Sequence, residues 1–155
     1  MVACTGHKSL LGPQGTGALY VRPGLELEPP RQGGTGTQSE RDEMPTDWPE
    51  AMEAGTMNGP GLAGLLAALR WLRRKTVRAV REDELVLMRH LIAALAEIPG
   101  LHIYGPRKAE DRTGLVSVNI GDEDPAWAAT ELEAQGILIR SGLHCAPWAH
   151  QCLGT

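Results

Sequence analysis

A chain of 155 residues has room for one ordinary domain with its own core and is too short for two full-sized ones. With 42% hydrophobic and 22% charged residues it belongs with globular rather than disordered sequences, and the absence of Phe leaves Leu, Ala, Val and Ile to fill the core. A formal net charge of -4 gives no basic footprint, so nucleic acid is not an expected partner and anionic ligands must be held by local groups.

In chain order, Met1 to Lys8 put a chemically loaded cluster where most domains keep frayed sequence, which implies further sequence upstream. Gly12-Pro13-Gln14-Gly15-Thr16-Gly17 is a turn cluster, and Ala18 to Val21 after it reads as a short buried strand. From Arg22 to Asn58 the chain is rich in Gly, Pro, Thr and Glu without a sustained period, a loop long enough to need a functional reason.

Asn58-Gly59-Pro60 then predicts a helix start, with Leu62, Leu65, Leu66, Leu69 and Leu72 spaced for one apolar face. A second helix is expected over Val77 to Ile98, stopped by Pro99-Gly100. Leu101 to Tyr104 and Leu115 to Ile120 read as strands, Pro125 to Gln135 as a helix ended by Gly136, and Ile137 to Arg140 as a further strand. Together these elements predict an α/β class with a small layer in which a helix covers a sheet. The N-terminus lacks a signal pattern, and no apolar run approaches the roughly 18 residues of a membrane span. Cys4, Cys145 and Cys152 are an odd number without paired-ligand spacing, which argues for a reducing, cytoplasmic setting rather than a disulfide framework.

Two constellations carry chemistry. The first is Thr5-Gly6-His7-Lys8-Ser9 with the glycines through Gly17. A lysine on a glycine-bounded turn can bond to a carbonyl if burial or neighbouring positive charge depresses its ammonium, while Thr5 and His7 can hold a phosphate. Taken alone, a lysine beside glycines is more often a solvated surface residue, and the glycine run lacks the Gly-Lys-Ser/Thr of a phosphate loop. The second is Arg140-Ser141-Gly142-Leu143-His144-Cys145-Ala146-Pro147, where a thiol beside His144 and near Arg140 has the surroundings of a nucleophilic thiolate. A buried loop cysteine is the plainer reading of the same residues. His144, Cys145, His150 and Cys152 are close in sequence, but their spacing matches no usual zinc pattern, and no metal is expected.

Four stretches in order resemble the class V aminotransferase and cysteine desulfurase family: Thr5-Gly6-His7-Lys8 with Leu11 to Gly17, Gly33-Gly34-Thr35-Gly36, Glu53 to Asn58, and Arg140 to Pro147. The resemblance implies a partial pyridoxal-phosphate transferase fold, with the end of the large domain over 1–58, connecting helices over 59–98 and an incomplete small α/β domain over 99–155. It implies that Lys8 forms the Schiff base with pyridoxal 5'-phosphate and then shuttles the substrate Cα proton. Thr5 and His7 would hold the cofactor phosphate, and Thr56 would reach the phosphate in a neighbouring subunit's site. Cys145 would take sulfur from a cysteine substrate as a persulfide, with Arg140 and His144 on the substrate side. Cys4 and Cys152 are then structural.

Implied partners are an amino-acid substrate, a sulfur-acceptor protein and, for the complete protein, a second copy in a homodimer. The family also carries an upstream cofactor domain and a downstream carboxylate-binding arginine, so the chain reads as an internal fragment, weakly active and partly stable. In that case Ala18 to Val21 would lack partner strands. The alternatives are an aminotransferase or lyase that does not need Cys145, and a non-catalytic remnant.

Overall fold

A computed structural model describes residues 1–155. The chain divides into two compact units, Met1–Val77 and Arg78–Thr155.

In the first unit, β1 (Val2–Thr5) pairs antiparallel with β2 (Gly17–Tyr20), with Val2 opposite Tyr20 and Thr5 opposite Gly17. The expected strand at Ala18 to Val21 is present, shifted by one residue, and it does have a partner: the chemically loaded N-terminal segment itself. Both strands are solvent-exposed along their length, in contrast to the buried strand expected, because a two-stranded ribbon has no second layer to cover it here. The segment between β2 and the first long helix contains only a single helical turn, Glu50–Met52, which buries Ala51. It is tied back on itself by Gly55 N donating to Gly34 O at 2.7 Å.

Helix α1 (Gly59–Lys75) starts as its sequence requires. The Asn58 side chain accepts from Gly61 N at 3.0 Å, and Pro60 sits in the first turn, where a missing N–H costs nothing. Gly61, Leu65, Ala68 and Leu72 form its inward stripe. It ends at Thr76, whose φ of 70° lies in the left-handed region and stops the helical ladder.

The second unit contains α2 (Val77–Ala96), β3 (Leu101–Tyr104), β4 (Ser117–Ile120), α3 (Pro125–Ala134) and α4 (Pro147–Leu153). Strands β3 and β4 are antiparallel, with Leu101 opposite Ile120 and Tyr104 opposite Ser117, and α3 packs on β4. Asp124 caps α3 by accepting from Ala126 N at 2.7 Å. One expectation fails here, and one element is new. Ile137 to Arg140 is not a strand: it has no ladder partner and stands exposed, and an apolar run becomes a strand only when another strand takes its hydrogen bonds. Helix α4 was not anticipated, and at seven residues it is too short to show a period.

The core is small. The buried apolar side chains are Ala51 and Leu65 in the first unit and Met88, Ala109 and Ala128 in the second. The chain exposes 12475 Å². Two separate compact units of half its mass each would together expose only about 9,200 Å². The excess is area left uncovered within the chain, and large apolar side chains such as Val77, Leu87, Leu138 and Trp148 are among those exposed.

Polar clamps do part of the work that a larger core would do. Arg112, the one buried charged residue, donates to Tyr104 O at 2.6 Å and to Pro106 O, closing the turn after β3. Arg81 donates to Ala109 O and Glu110 O, and Arg89 reaches the Glu110 carboxylate at 2.6 Å. The Arg89 hydrogen bond holds the Glu110 carboxyl below its ordinary range. A depressed carboxyl stabilises the fold at pH above its unfolded value and loses that contribution as pH falls through the folded one. Both partners are half-exposed, so solvent screening keeps this contribution small.

Arg112→Ala should destabilise the second unit by about 3 kcal/mol, because two carbonyls lose a charged donor. Urea unfolding followed by circular dichroism measures this, and Arg112→Lys should recover only part of the loss, since one ammonium cannot reproduce the fork.

Candidate active site

The Lys8 constellation lies on a turn built between β1 and β2. Gly6 N donates to Thr16 O at 2.8 Å, and Gly6 O accepts from Gly12 N at 2.7 Å. Thr16 Oγ1 donates to Pro13 O at 2.6 Å, and Leu11 N donates to Lys8 O at 2.9 Å. Gly6 is buried, whereas Thr5, His7 and Lys8 beside it are exposed. A side chain at position 6 does not fit: a Cβ there would lie 2.1 Å from Thr16 Oγ1 and 2.9 Å from Thr16 O. Gly12 is equally constrained, its added Cβ falling 2.7 Å from Leu65 Cδ1 of α1 and 3.0 Å from Gly6 O. The turn is thus pinned to β2 on one side and to α1 on the other, and three donor side chains project from it.

None of Thr5, His7 and Lys8 has a side-chain hydrogen bond or ion pair within the chain. Burial of the Lys8 ammonium, one of the two means of activation expected from the sequence, is not present. A hydroxyl, an imidazole and an amine, all unpartnered on one fixed turn, are a donor set that fits a phosphate ester carrying an aldehyde.

Thr56 is in the same unit, exposed, directly after Gly55. The Gly55 N to Gly34 O hydrogen bond brings the Gly33 to Gly36 and Glu53 to Asn58 stretches together. Asn58 in turn lies near the glycine turn, its Nδ2 being 3.9 Å from a Cβ built at Gly15. Three of the four sequence stretches singled out above therefore belong to one connected piece of structure. A concavity of about 610 Å³ in this unit is lined by Gly24 to Glu28 and Trp48 and includes none of these residues.

In the second unit, Arg140, His144 and Cys145 are all exposed. Ala146 N donates to Leu143 O at 2.9 Å, making a tight turn that leads into α4, with Pro147 in the first turn of the helix. His144 and Cys145 have φ of 52° and 61°, two consecutive non-glycine residues in the left-handed region. Such residues cost on the order of 1 kcal/mol each and collect at functional sites. No hydrogen bond or ion pair joins Arg140, His144 and Cys145 to one another. Exposure does not separate the three thiols: Cys4 and Cys152 are exposed as well, with Cys4 donating weakly to Ala18 O at 3.6 Å. No three His, Cys, Asp or Glu side chains converge on a metal-binding geometry. Sequence reasoning missed the parts played by Gly6 and Thr16, which the Gly-bounded spacing alone does not reveal.

The fold and these two turns define a lysine-bearing, thiol-bearing α/β protein, and comparison with known proteins gives its family. The sequence profile of the family described as Aminotransferase class-V matches residues 1–155. A probable cysteine desulfurase of Methanothermobacter thermautotrophicus is 39% identical over 150 residues, covering 93% of this chain and 37% of that protein. A cysteine desulfurase of Escherichia coli O127:H6 is 37% identical over 147 residues, covering 92% and 35%. The apo structure of a cysteine desulfurase from Thermococcus onnurineus NA1 superposes with a TM-score of 0.86 at 34% identity, covering 98% of this chain and 39% of that one. The chain belongs to the class V aminotransferase family. It spans just over a third of the length of the curated relatives it matches.

Gly6→Ala should destabilise the first unit by roughly 1–3 kcal/mol, because the methyl meets backbone that cannot withdraw. Gly6→Ala with Thr16→Ala should recover only part of this, since the Thr16 carbonyl remains. Equal urea midpoints for Gly6→Ala and the parent chain would show that the turn is not pinned.

Proposed function

We propose that this chain carries the cofactor lysine and the sulfur-accepting thiol of a pyridoxal-phosphate enzyme that removes sulfur from cysteine. The observation that carries the reading is the pinned turn that presents Thr5, His7 and Lys8 as three unpartnered donors. Similarity to cysteine desulfurases over nearly the whole chain supports the choice of reaction.

Lys8 would hold the cofactor at its carbonyl and would carry the proton at the substrate Cα. Thr5 Oγ1 and His7 would donate to the phosphate from either side of the backbone fixed at Gly6. Pyridoxal phosphate, when bound, supplies the conjugated ring that accepts the electrons left at Cα. Cys145 Sγ attacks the sulfur of the substrate cysteine. A sulfur–sulfur bond forms, the substrate's carbon–sulfur bond breaks with its electron pair passing to the carbon skeleton, and protonation there releases alanine, leaving a persulfide on Cys145. Arg140 and His144 lie on the substrate side of this thiol. Gly142, at φ 91°, gives the loop a hinge by which Cys145 turns toward an outside acceptor protein.

The whole protein is on this reading a cytoplasmic homodimer in which Thr56 serves the neighbouring subunit's phosphate. In the structure itself, no helix is long and apolar enough to cross a membrane.

A chimaera in which residues 1–155 replace the matching segment of a full-length relative tests the chemistry. Cys145→Ala in it should reduce sulfide release from cysteine to background while leaving cofactor absorbance intact. Sulfide release at the parent rate would instead favour an aminotransferase or lyase that does not need this thiol.

A further inference from the structure

The segment between β2 and α1 keeps its shape with very little core, Pro45 and Ala51 being the residues it buries. Most of its hydrogen bonds close single turns, as Leu25 N to Arg22 O, Arg41 N to Gln38 O and Ala51 N to Asp47 O do. Two reach further, and they meet at consecutive residues. Gly33 N donates to Met44 Sδ at 3.1 Å across 11 positions, and Gly34 O accepts from Gly55 N at 2.7 Å. Gly33 also lies against Ala54, since a Cβ built on it falls 3.9 Å from the Ala54 Cβ. Thr56 follows Gly55 directly, so the Met44 sulfur stands at one end of a short relay whose other end is Thr56.

The relay passes through two glycines, and that is why an outside hold matters. Without a Cβ, neither Gly33 nor Gly34 limits its own φ and ψ, and the peptide between them keeps one orientation only if other groups fix it. A Cβ at Gly34 would meet nothing within 4 Å, so packing does not supply the hold there. The Gly33 N–H bond to Met44 fixes one side of this pair and the Gly34 carbonyl fixes the other. Met44 is half-buried next to buried Pro45, which gives its sulfur a fixed base. A thioether is a weak acceptor, and its contribution here is geometric: it sets where Gly34 presents its carbonyl to Gly55.

We propose, on the reading that Thr56 serves a neighbouring subunit's phosphate, that Met44 is the positioning residue for Thr56. Its sulfur holds Gly33, Gly34 passes the constraint to Gly55, and the Thr56 hydroxyl is thereby kept in place for the phosphate. Leucine at position 44 would fill the same space and leave the Gly33 N–H without its acceptor. Glutamine would restore an acceptor at similar reach.

Hydrogen exchange in the 155-residue chain tests the relay without cofactor. Met44→Leu, a volume-conserving change, should speed exchange of the Gly33 and Gly55 N–H groups about fivefold, the effect of losing one ordinary net hydrogen bond. The Gly6 N–H, held by Thr16 O, should exchange as in the parent, and Met44→Gln should restore the parent rates at Gly33 and Gly55. Titration of the full-length chimaera with pyridoxal phosphate and with pyridoxal tests the consequence. Met44→Leu should weaken pyridoxal phosphate by a similar factor and leave pyridoxal unchanged, a split that a general loss of packing would not give, and Met44→Gln should recover the phosphate preference. Thr56→Val in the same chimaera separates this proposal from the reading beneath it. If Thr56→Val weakens pyridoxal phosphate selectively and Met44→Leu does not, Thr56 keeps its role and the proposal for Met44 is overturned. If Thr56→Val has no selective effect, the role of Thr56 fails and the proposal with it. Unchanged exchange at Gly33 and Gly55 in Met44→Leu would overturn the relay by itself.

Discussion

The first unit depends on how closely its backbone segments approach one another at Gly6 and Gly12. Gly6 gives its N–H to Thr16 and its carbonyl to Gly12, while Gly12 lies against Leu65, one of the few buried side chains of the chain. One node therefore fixes the β1–β2 ribbon, the glycine turn and the seat of α1. On the proposed reading the residues on either side of Gly6 are the cofactor donors, and rigidity at position 6 would let the exposed side chains at 5, 7 and 8 act as a set.

The second unit solves a similar problem with charge rather than close approach. Its sheet has two strands, and its buried apolar residues are few; Arg112 and Arg81 hold backbone carbonyls, and Arg89 pairs with the Glu110 carboxylate at the surface. The thiol turn carries the opposite character: His144 and Cys145 are exposed and sit in strained backbone. On the proposed reading, a stiff turn at Lys8 and a strained, exposed turn at Cys145 would suit a reaction in which one group holds still and another moves.

Helices were legible because their signals are local. Asn58 and Pro60 marked the start of α1, Pro99-Gly100 the end of α2, and Asp124-Pro125 the start of α3. Strands were legible only in part, since a strand exists by virtue of its partner. Val2 to Thr5 looked like chemistry and proved to be the ladder partner of Gly17 to Tyr20, whereas Ile137 to Arg140 had strand composition and found no partner. The donor residues could be picked out from four ordered motifs, and the Gly34 to Gly55 hydrogen bond explains why two of those motifs belong together. Whether Lys8 is buried, and how exposed the three cysteines are, depends on tertiary surroundings that local sequence does not encode.

On the proposed reading the turn at Gly6 makes Lys8 a selective cofactor lysine rather than one solvated amine among others. Lys75 and Lys108 are the other two lysines, and both are exposed. The chain should be incubated with pyridoxal phosphate, reduced with borohydride and mapped by peptide mass, in parallel with pyridoxal, which has the aldehyde and lacks the phosphate. Predominant modification of Lys8 by pyridoxal phosphate, lost with pyridoxal, is the result predicted from donors at Thr5 and His7. Equal modification of Lys8, Lys75 and Lys108 by both reagents would contradict it.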